Sequence, residues 1–281
     1  MKFRRYAMLC ALSFLSFFVI VPLWLLISGS FMGGLEASQS FAPVLENAAG
    51  SALWPLIPRY PTIQPYVELL LDTPQFFGMF WNSVAQVFPL VLGQVLLGAP
   101  AAWAFARYEF RFKKALFLLY IVLMLMPFQV TMVSSYLVLD GLKLMDTMWA
   151  IILPGAASTF PVFIMTRFFQ AIPASLTEAA AIDGAGSFKV FLRVGLPLGA
   201  PGILSAVVLG FFEYWNALEV PLTFLKDKSL WPLSLYLPAI SSENLGVSLI
   251  ASVVMLKPAL LIFLFGQKYL EQGITAAGMK D

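Results

Sequence analysis

"EAAAIDGAGSFKVFLRVGLPLGAP", residues 178 to 201, is a compact polar interruption between two long apolar runs. A glutamate and three alanines lead to Asp183-Gly184, basic residues follow at Lys189 and Arg193, and Leu196-Pro197 comes near the end. Upstream, Pro173 stops the preceding run. "SLTE", Ser175 to Glu178, spells a capping box, in which the Ser175 hydroxyl accepts the Glu178 N–H and the Glu178 carboxylate accepts the Ser175 N–H. Ala179, Ala180, Ala181 and Ile182 are compact and mostly good helix formers. Gly184 suits the left-handed position that ends a helix. The spacing predicts a helix of about two turns, fixed at both ends, with Leu176, Ala179, Ala180 and Ile182 as a small apolar surface. Ser187 is placed to cap a second short helix through Lys189 and Arg193, and Leu196-Pro197 to start the turn into the next span. A two-turn helix is marginal alone in water, so this one needs something to pack against. A helix lying on lipid headgroups would favour Lys, Arg and bulky apolar residues; alanines beside Glu178 and Asp183 suit a protein groove better.

The flanking runs set the fold class. The chain of 281 residues is 60% hydrophobic and 11% charged, where a soluble domain carries about 25% charged residues. No charge occurs from Tyr6 to Leu35, Thr73 to Ala106, Ala115 to Leu139, Thr147 to Thr166 or Val194 to Phe212. A spanning helix needs about 20 mainly apolar residues, and six spans are read at about 7–28, 77–105, 115–136, 149–169, 199–222 and 247–267. The expectation is one all-α integral membrane domain over 1–281; a β-barrel would show alternating segments of about 10 residues. With the N-terminus inside, 12 Lys and Arg fall on the cytoplasmic side, 4 outside and Lys257 within a span, so both termini face the cytoplasm. Residues 31–76 are then external and 170–198 cytoplasmic. The basic start with its long apolar run reads as an uncleaved first span. The external segment is proline-rich and aromatic, with a short surface helix expected within "QPYVELLLDTPQFFGMFWNS"; its length favours a docking surface over a plain connector. Prolines inside the spans kink their helices.

Several function classes drop out. The chain has no His, and Cys10 is its only cysteine, which removes histidine acid–base chemistry, internal disulfides and cysteine metal clusters. No basic patch with interleaved aromatics supports nucleic-acid binding. No G-x-x-x-x-G-K-[ST] phosphate loop is present, so ATP cannot be used by this chain itself.

The pattern Glu178-Ala179-Ala180, three residues, Gly184, nine residues, Val194, one residue, Leu196-Pro197 resembles the "EAA" loop of permease subunits in bacterial ATP-binding-cassette (ABC) importers. The family form has Ile where Val194 stands. The stretch from Ala181 through Trp215-Asn216 to Pro221, "WNS" at 81–83, "AFARYEFRFKK" at 104–114 and the tail "KYLEQGITAAGMKD" at 268–281 look like the maltose-type carbohydrate branch. The likeness covers most of the chain from about residue 55 and is weak across 31–54, where the sequence carries its own insertion. The resemblance implies a type I importer permease fold and a coupling helix seated in a cleft of an ATPase, with Ser175, Glu178, Ala179, Ala180, Asp183, Gly184, Leu196 and Pro197 at that contact. It also implies a second related permease, two ATPase subunits using ATP and Mg, and an external solute-binding protein, with no cofactor held by this chain.

Ionisable residues inside spans are functional candidates by default. Glu213 and Lys257 have matching depths and read as an ion pair; for Lys257 a structural role is favoured. Asn216 and Glu219 follow Glu213 on much the same helix face, and Trp215 adds an aromatic platform, so these residues are candidates to line a sugar pathway. Asn216 serves equally as a helix–helix hydrogen bond. Gln86, Gln94, Gln129, Ser134 and Ser135 read as packing contacts. A stand-alone ion-coupled transporter using Glu213 is the alternative function, but it leaves the punctuated loop unexplained. A membrane enzyme lacks any recognisable acid–base or metal constellation.

Overall fold

The computed structural model describes residues 2–45, 51, 54–236 and 245–278. Residues 46–50 and 52–53 of the insertion, and the last three residues of the tail, lie outside that set. The described residues are almost all helical, with one isolated β-bridge between Met32 and Pro61. In chain order the helices are α1 (Lys2–Gly29), α2 (Gly34–Leu45), α3 (Gln64–Leu71), α4 (Pro74–Arg107), α5 (Lys113–Leu125), α6 (Phe128–Gly141), α7 (Trp149–Ala156), α8 (Thr159–Ala171), α9 (Ala174–Ile182), α10 (Ser187–Val190), α11 (Leu196–Trp215), α12 (Glu219–Phe224) and α13 (Leu245–Gly278). Among the described residues, five helical stretches are long and apolar enough to cross a membrane, and α5 with α6 makes a sixth if that pair is one bent span.

Two of the expected spans differ from the structure, each at a proline. The third, read as 115–136, is two helices bent by 104°. Pro127 forces the preceding residue out of the helical region, and Met126 is extended at φ −74°, ψ 121°. The fifth, read as 199–222, runs instead from Ser187 to Trp215. Leu196-Pro197 therefore starts no turn. A proline within a regular helix clashes with the carbonyl four residues back; here residues Phe191–Gly195, just before Pro197, widen into a π-helical turn. Helix α11 then stops early. Continued past Asn216, it would meet Pro221, which has no N–H for the Ala217 carbonyl; that carbonyl accepts the Ser234 hydroxyl at 2.6 Å.

The chain divides into two compact units. The first comprises residues 1–78 and 236–258. Here the Trp24 indole and Ser28 hydroxyl donate to the Leu56 carbonyl at 3.0 and 2.8 Å, and the Glu36 carboxylate accepts the Arg59 and Tyr60 N–H groups at 2.7 and 3.2 Å. Met32, Ala37, Phe41, Leu245 and Leu249 form its buried cluster. The short helix expected after residue 63 is α3, with Pro65 in its first turn, where a missing N–H does no harm.

The second unit comprises residues 79–235 and 259–281. Its densest packing sets α8 against the 187–215 helix. Where lipid replaces water there is no hydrophobic drive between helices, and small residues let backbones approach. Gly195, Gly199 and Gly202 present one such face: added Cβ atoms would sit 2.8 Å from the Trp103 ring, 2.2 Å from Phe169 and 2.4 Å from Phe168. On α4, Asn82, Ser83 and Gln86 grip the 229–233 segment. Asn82 donates to the Ser229 and Trp231 carbonyls, Gln86 to the Leu230 carbonyl, and Ser83 accepts the Leu233 N–H at 2.7 Å. "WNS" therefore fixes a loop. Asp146, in the left-handed region at φ 60°, accepts the Lys226 and Asp227 N–H groups at 2.8 Å each and anchors the segment after α12.

Gly199→Val should overpack the α8 contact and destabilise the purified protein by about 1–3 kcal/mol. A lowered thermal midpoint in detergent is the expected readout. Gly78→Ala, where an added Cβ meets nothing within 4 Å, should leave the midpoint unlowered.

Candidate functional site

Helix α9 is the short, doubly fixed element the sequence announces, but its start differs. Pro173, extended at φ −57°, ψ 135°, is the residue before the first helical turn, and no side chain caps it. Ser175 lies one residue inside the helix, so the capping box with Glu178 does not form. The proline sets the boundary, because its fixed φ and extended ψ let the helix begin at Ala174. The Thr177 hydroxyl donates back to the Ala174 carbonyl at 2.8 Å. Gly186 likewise precedes α10, and Ser187 is its first helical residue, not its cap.

The other end matches the expectation from Gly184. Gly184 has φ +78°. The Ala185 N–H reaches back to the Ala180 carbonyl and the Gly184 N–H to the Ala181 carbonyl, both at 3.0 Å, the pairing that satisfies orphan carbonyls at a glycine-terminated helix.

The apolar surface divides between two sides. Ala180 and Ala185 turn inward onto a buried cluster that includes Trp103, Phe169, Ile172 and Phe191. Leu196 joins that cluster as well. Leu176, Ala179 and Ile182 face outward, and Ile182 is 86% exposed. Phe188 on α10 is 73% exposed. Glu178 and Asp183 are exposed. Glu178 stands at a cleft of about 300 Å³ together with Trp103, Arg107, Thr177 and Ser187. Nearby, the Glu109 carboxyl is held below its usual range by the hydrogen bond and charge of Lys113, at 2.8 Å.

The polar span residues are arranged differently from the helix face expected for them. Because α11 ends at Trp215, Glu219 does not share a helix with Glu213. Trp215 is 5% exposed, stacked on Phe211 at 5.2 Å and edge-on to Phe80 at 6.1 Å; it packs the core instead of offering a platform. Glu213 is exposed at the last turn of α11. Asn216 donates to the Phe212 carbonyl of its own helix at 2.9 Å, not to a neighbouring helix. Glu219 opens α12 and accepts both contacts of the Gln129 amide, at 2.7 and 2.8 Å. That pairing had no signal in the sequence beyond a glutamine two residues after Pro127. Glu213 and Lys257 belong to different compact units. Gln94 does act in packing, donating to the Gly155 carbonyl at 3.0 Å.

The site is thus a short helix closed by a left-handed glycine, packed on one side and exposing an apolar face on the other. Residues 94–276 match the family described as binding-protein-dependent transport system inner membrane component. The chain belongs to that family. Among relatives of this inner membrane component, the arabinooligosaccharides transport system permease protein AraQ of Halalkalibacterium halodurans is 26% identical over 95% of this chain and 94% of its own length. A probable ABC transporter permease protein of Pyrococcus horikoshii is 32% identical over 87% of this chain and 89% of its own. The diacetylchitobiose uptake system permease protein NgcG of Streptomyces coelicolor is 27% identical over 92% and 84%. The fold is shared with a chain of a bacterial ABC transporter involved in the import of the acidic polysaccharide alginate, at a TM-score of 0.78 and 20% identity over 95% of this chain and 96% of that one.

Gly184 and Gly186 give a paired test of the α9 terminus. Neither would crowd a neighbour if enlarged, yet only Gly184 has positive φ. A side chain at Gly184 costs about 1–2 kcal/mol of local strain. In the assembled transporter, Gly184→Val should abolish most uptake with normal membrane insertion, whereas Gly186→Ala should transport like wild type.

Proposed function

We propose that this chain is one permease subunit of an ATP-driven importer that moves a carbohydrate across the cytoplasmic membrane. The observation that carries this reading is α9 itself, a short helix seated on the bundle by Ala180 and by Ala185 just after it, whose outward Leu176, Ala179 and Ile182 remain for a partner. The partner is an ATPase, because the chain carries no phosphate loop of its own. Two ATPase subunits using ATP and Mg, a second related permease and an external solute-binding protein complete the assembly. The carbohydrate class is supported by the relatives, whose names specify arabinooligosaccharide and diacetylchitobiose transport. On this reading Glu178, Asp183 and the 176–188 surface meet the ATPase. Glu213, Asn216 and the Gln129–Glu219 pair lend polar groups to the substrate path, where sugar hydroxyls need partners. The external segment, including a cleft of about 580 Å³ beside Glu36, Gln39, Trp54, Arg59 and Tyr60, receives the binding protein.

Purification in mild detergent should bring down an ATPase. Reconstituted vesicles should take up labelled oligosaccharide with ATP and binding protein, and hydrolysis should rise when substrate-loaded binding protein is added. Uptake driven by an ion gradient without ATP would overturn the reading. In whole cells, Gln64→Cys should react with a membrane-impermeant thiol reagent from outside. Labelling only after the cytoplasmic face is opened would reverse the orientation.

A further inference from the structure

The joint between α8 and α9 holds a side chain that neither the transport reading nor the loop motif assigns. Arg107 ends α4, half-buried at the edge of the apolar cluster. One guanidinium nitrogen, Nη2, donates to the Phe169 carbonyl at 2.9 Å and also to the Ile172 carbonyl. The guanidinium carbon lies 5.4 Å from the centre of the Trp103 ring, one turn back on α4. Both accepting carbonyls come from the terminus of α8; Phe169 also accepts the Ile172 N–H at 3.4 Å, and helix ends leave carbonyl capacity for side chains. The residue after Ile172 is Pro173, which has no N–H to offer. A cation at that end also suits the helix dipole.

This contact sits where α9 is rooted. Ala180 and Ala185 touch the same cluster as Trp103, Phe169 and Ile172, but alanines bury little area and hold a helix weakly. Arg107 adds a hydrogen-bonded tie from α4 to Phe169 and Ile172, just ahead of Pro173 and α9. A lysine would present one nitrogen on a flexible stem in place of the guanidinium that lies over the Trp103 ring.

We infer that Arg107 is the strut that delivers displacement of α9 to α4, a positioning residue for the coupling step. This rests on α9 being the element that meets the ATPase. Movement of α9 pulls at Pro173 and Ile172; with Arg107 bound there, α4 must follow, and without it the joint yields.

The test uses the complete transporter in proteoliposomes and reads substrate moved per ATP hydrolysed, together with the amount of assembled complex. Arg107→Met should assemble in wild-type amount and lower that ratio about tenfold, the usual scale of a lost coupling term. Arg107→Lys should fall between Met and wild type. Gly184→Val separates the two ideas. If it keeps the wild-type ratio, α9 is not the coupling element and that reading fails first. If Gly184→Val lowers the ratio while both Arg107 variants keep it, the strut alone is overturned. If neither Arg107 variant assembles, Arg107 serves assembly only, and the proposal is equally overturned.

Discussion

A backbone carbonyl released from its helix inside an apolar medium has no water to turn to and must find another donor within the protein. This chain breaks its helices ahead of prolines at 127, 161 and 221 and widens one ahead of Pro197, so the demand recurs. Side chains from elsewhere in the chain meet such carbonyls: Gln94 reaches Gly155, Ser234 reaches Ala217, Asn82 and Gln86 reach the 229–231 segment, and Arg107 reaches the end of α8. These bonds hold the irregular backbone in one arrangement. They also give glutamine and asparagine a use in segments with few other polar groups.

Close approach supplies the rest of the cohesion. With lipid as apolar as leucine, contact area and fit decide which helices associate. The Gly195, Gly199, Gly202 face receives Trp103, Phe168 and Phe169, and Trp103 and Phe169 belong to one cluster with Phe191, Ala180 of α9 and Ala185 just after it. Ala180 packs partly buried against the same cluster. The widened turn at 191–195 keeps the 187–215 helix continuous through Pro197, so the segment after α9 runs without interruption into the bundle.

On the proposed reading α9 is a coupling element, which must be stiff, seated and exposed on its far side, and a separate device serves each condition. Stiffness comes from the paired hydrogen bonds around Gly184 and from Pro173 at the other end. The seat is apolar contact plus the Arg107 tie. The far side is Leu176, Ala179 and Ile182, which this chain leaves uncovered.

The sequence by itself determined the membrane class, the approximate spans, the glycine-ended helix and the family, because charge-free runs, positive φ at a glycine and a spaced motif are local properties. It did not determine where helices begin or which way polar side chains face. Ser175 and Ser187 were plausible caps by composition, yet each lies inside its helix, because Pro173 and Gly186 just upstream already adopt the entering conformation. Trp215 reads as a platform only if its helix continues; the break at Asn216 and the stacking on Phe211 turn it into core. Gln129 and Glu219, 90 residues apart in sequence, meet only because the bend at Pro127 and the restart at Glu219 bring two helix ends together. Tertiary structure decided these points because a helix end or a polar partner is fixed by what the rest of the chain places beside it.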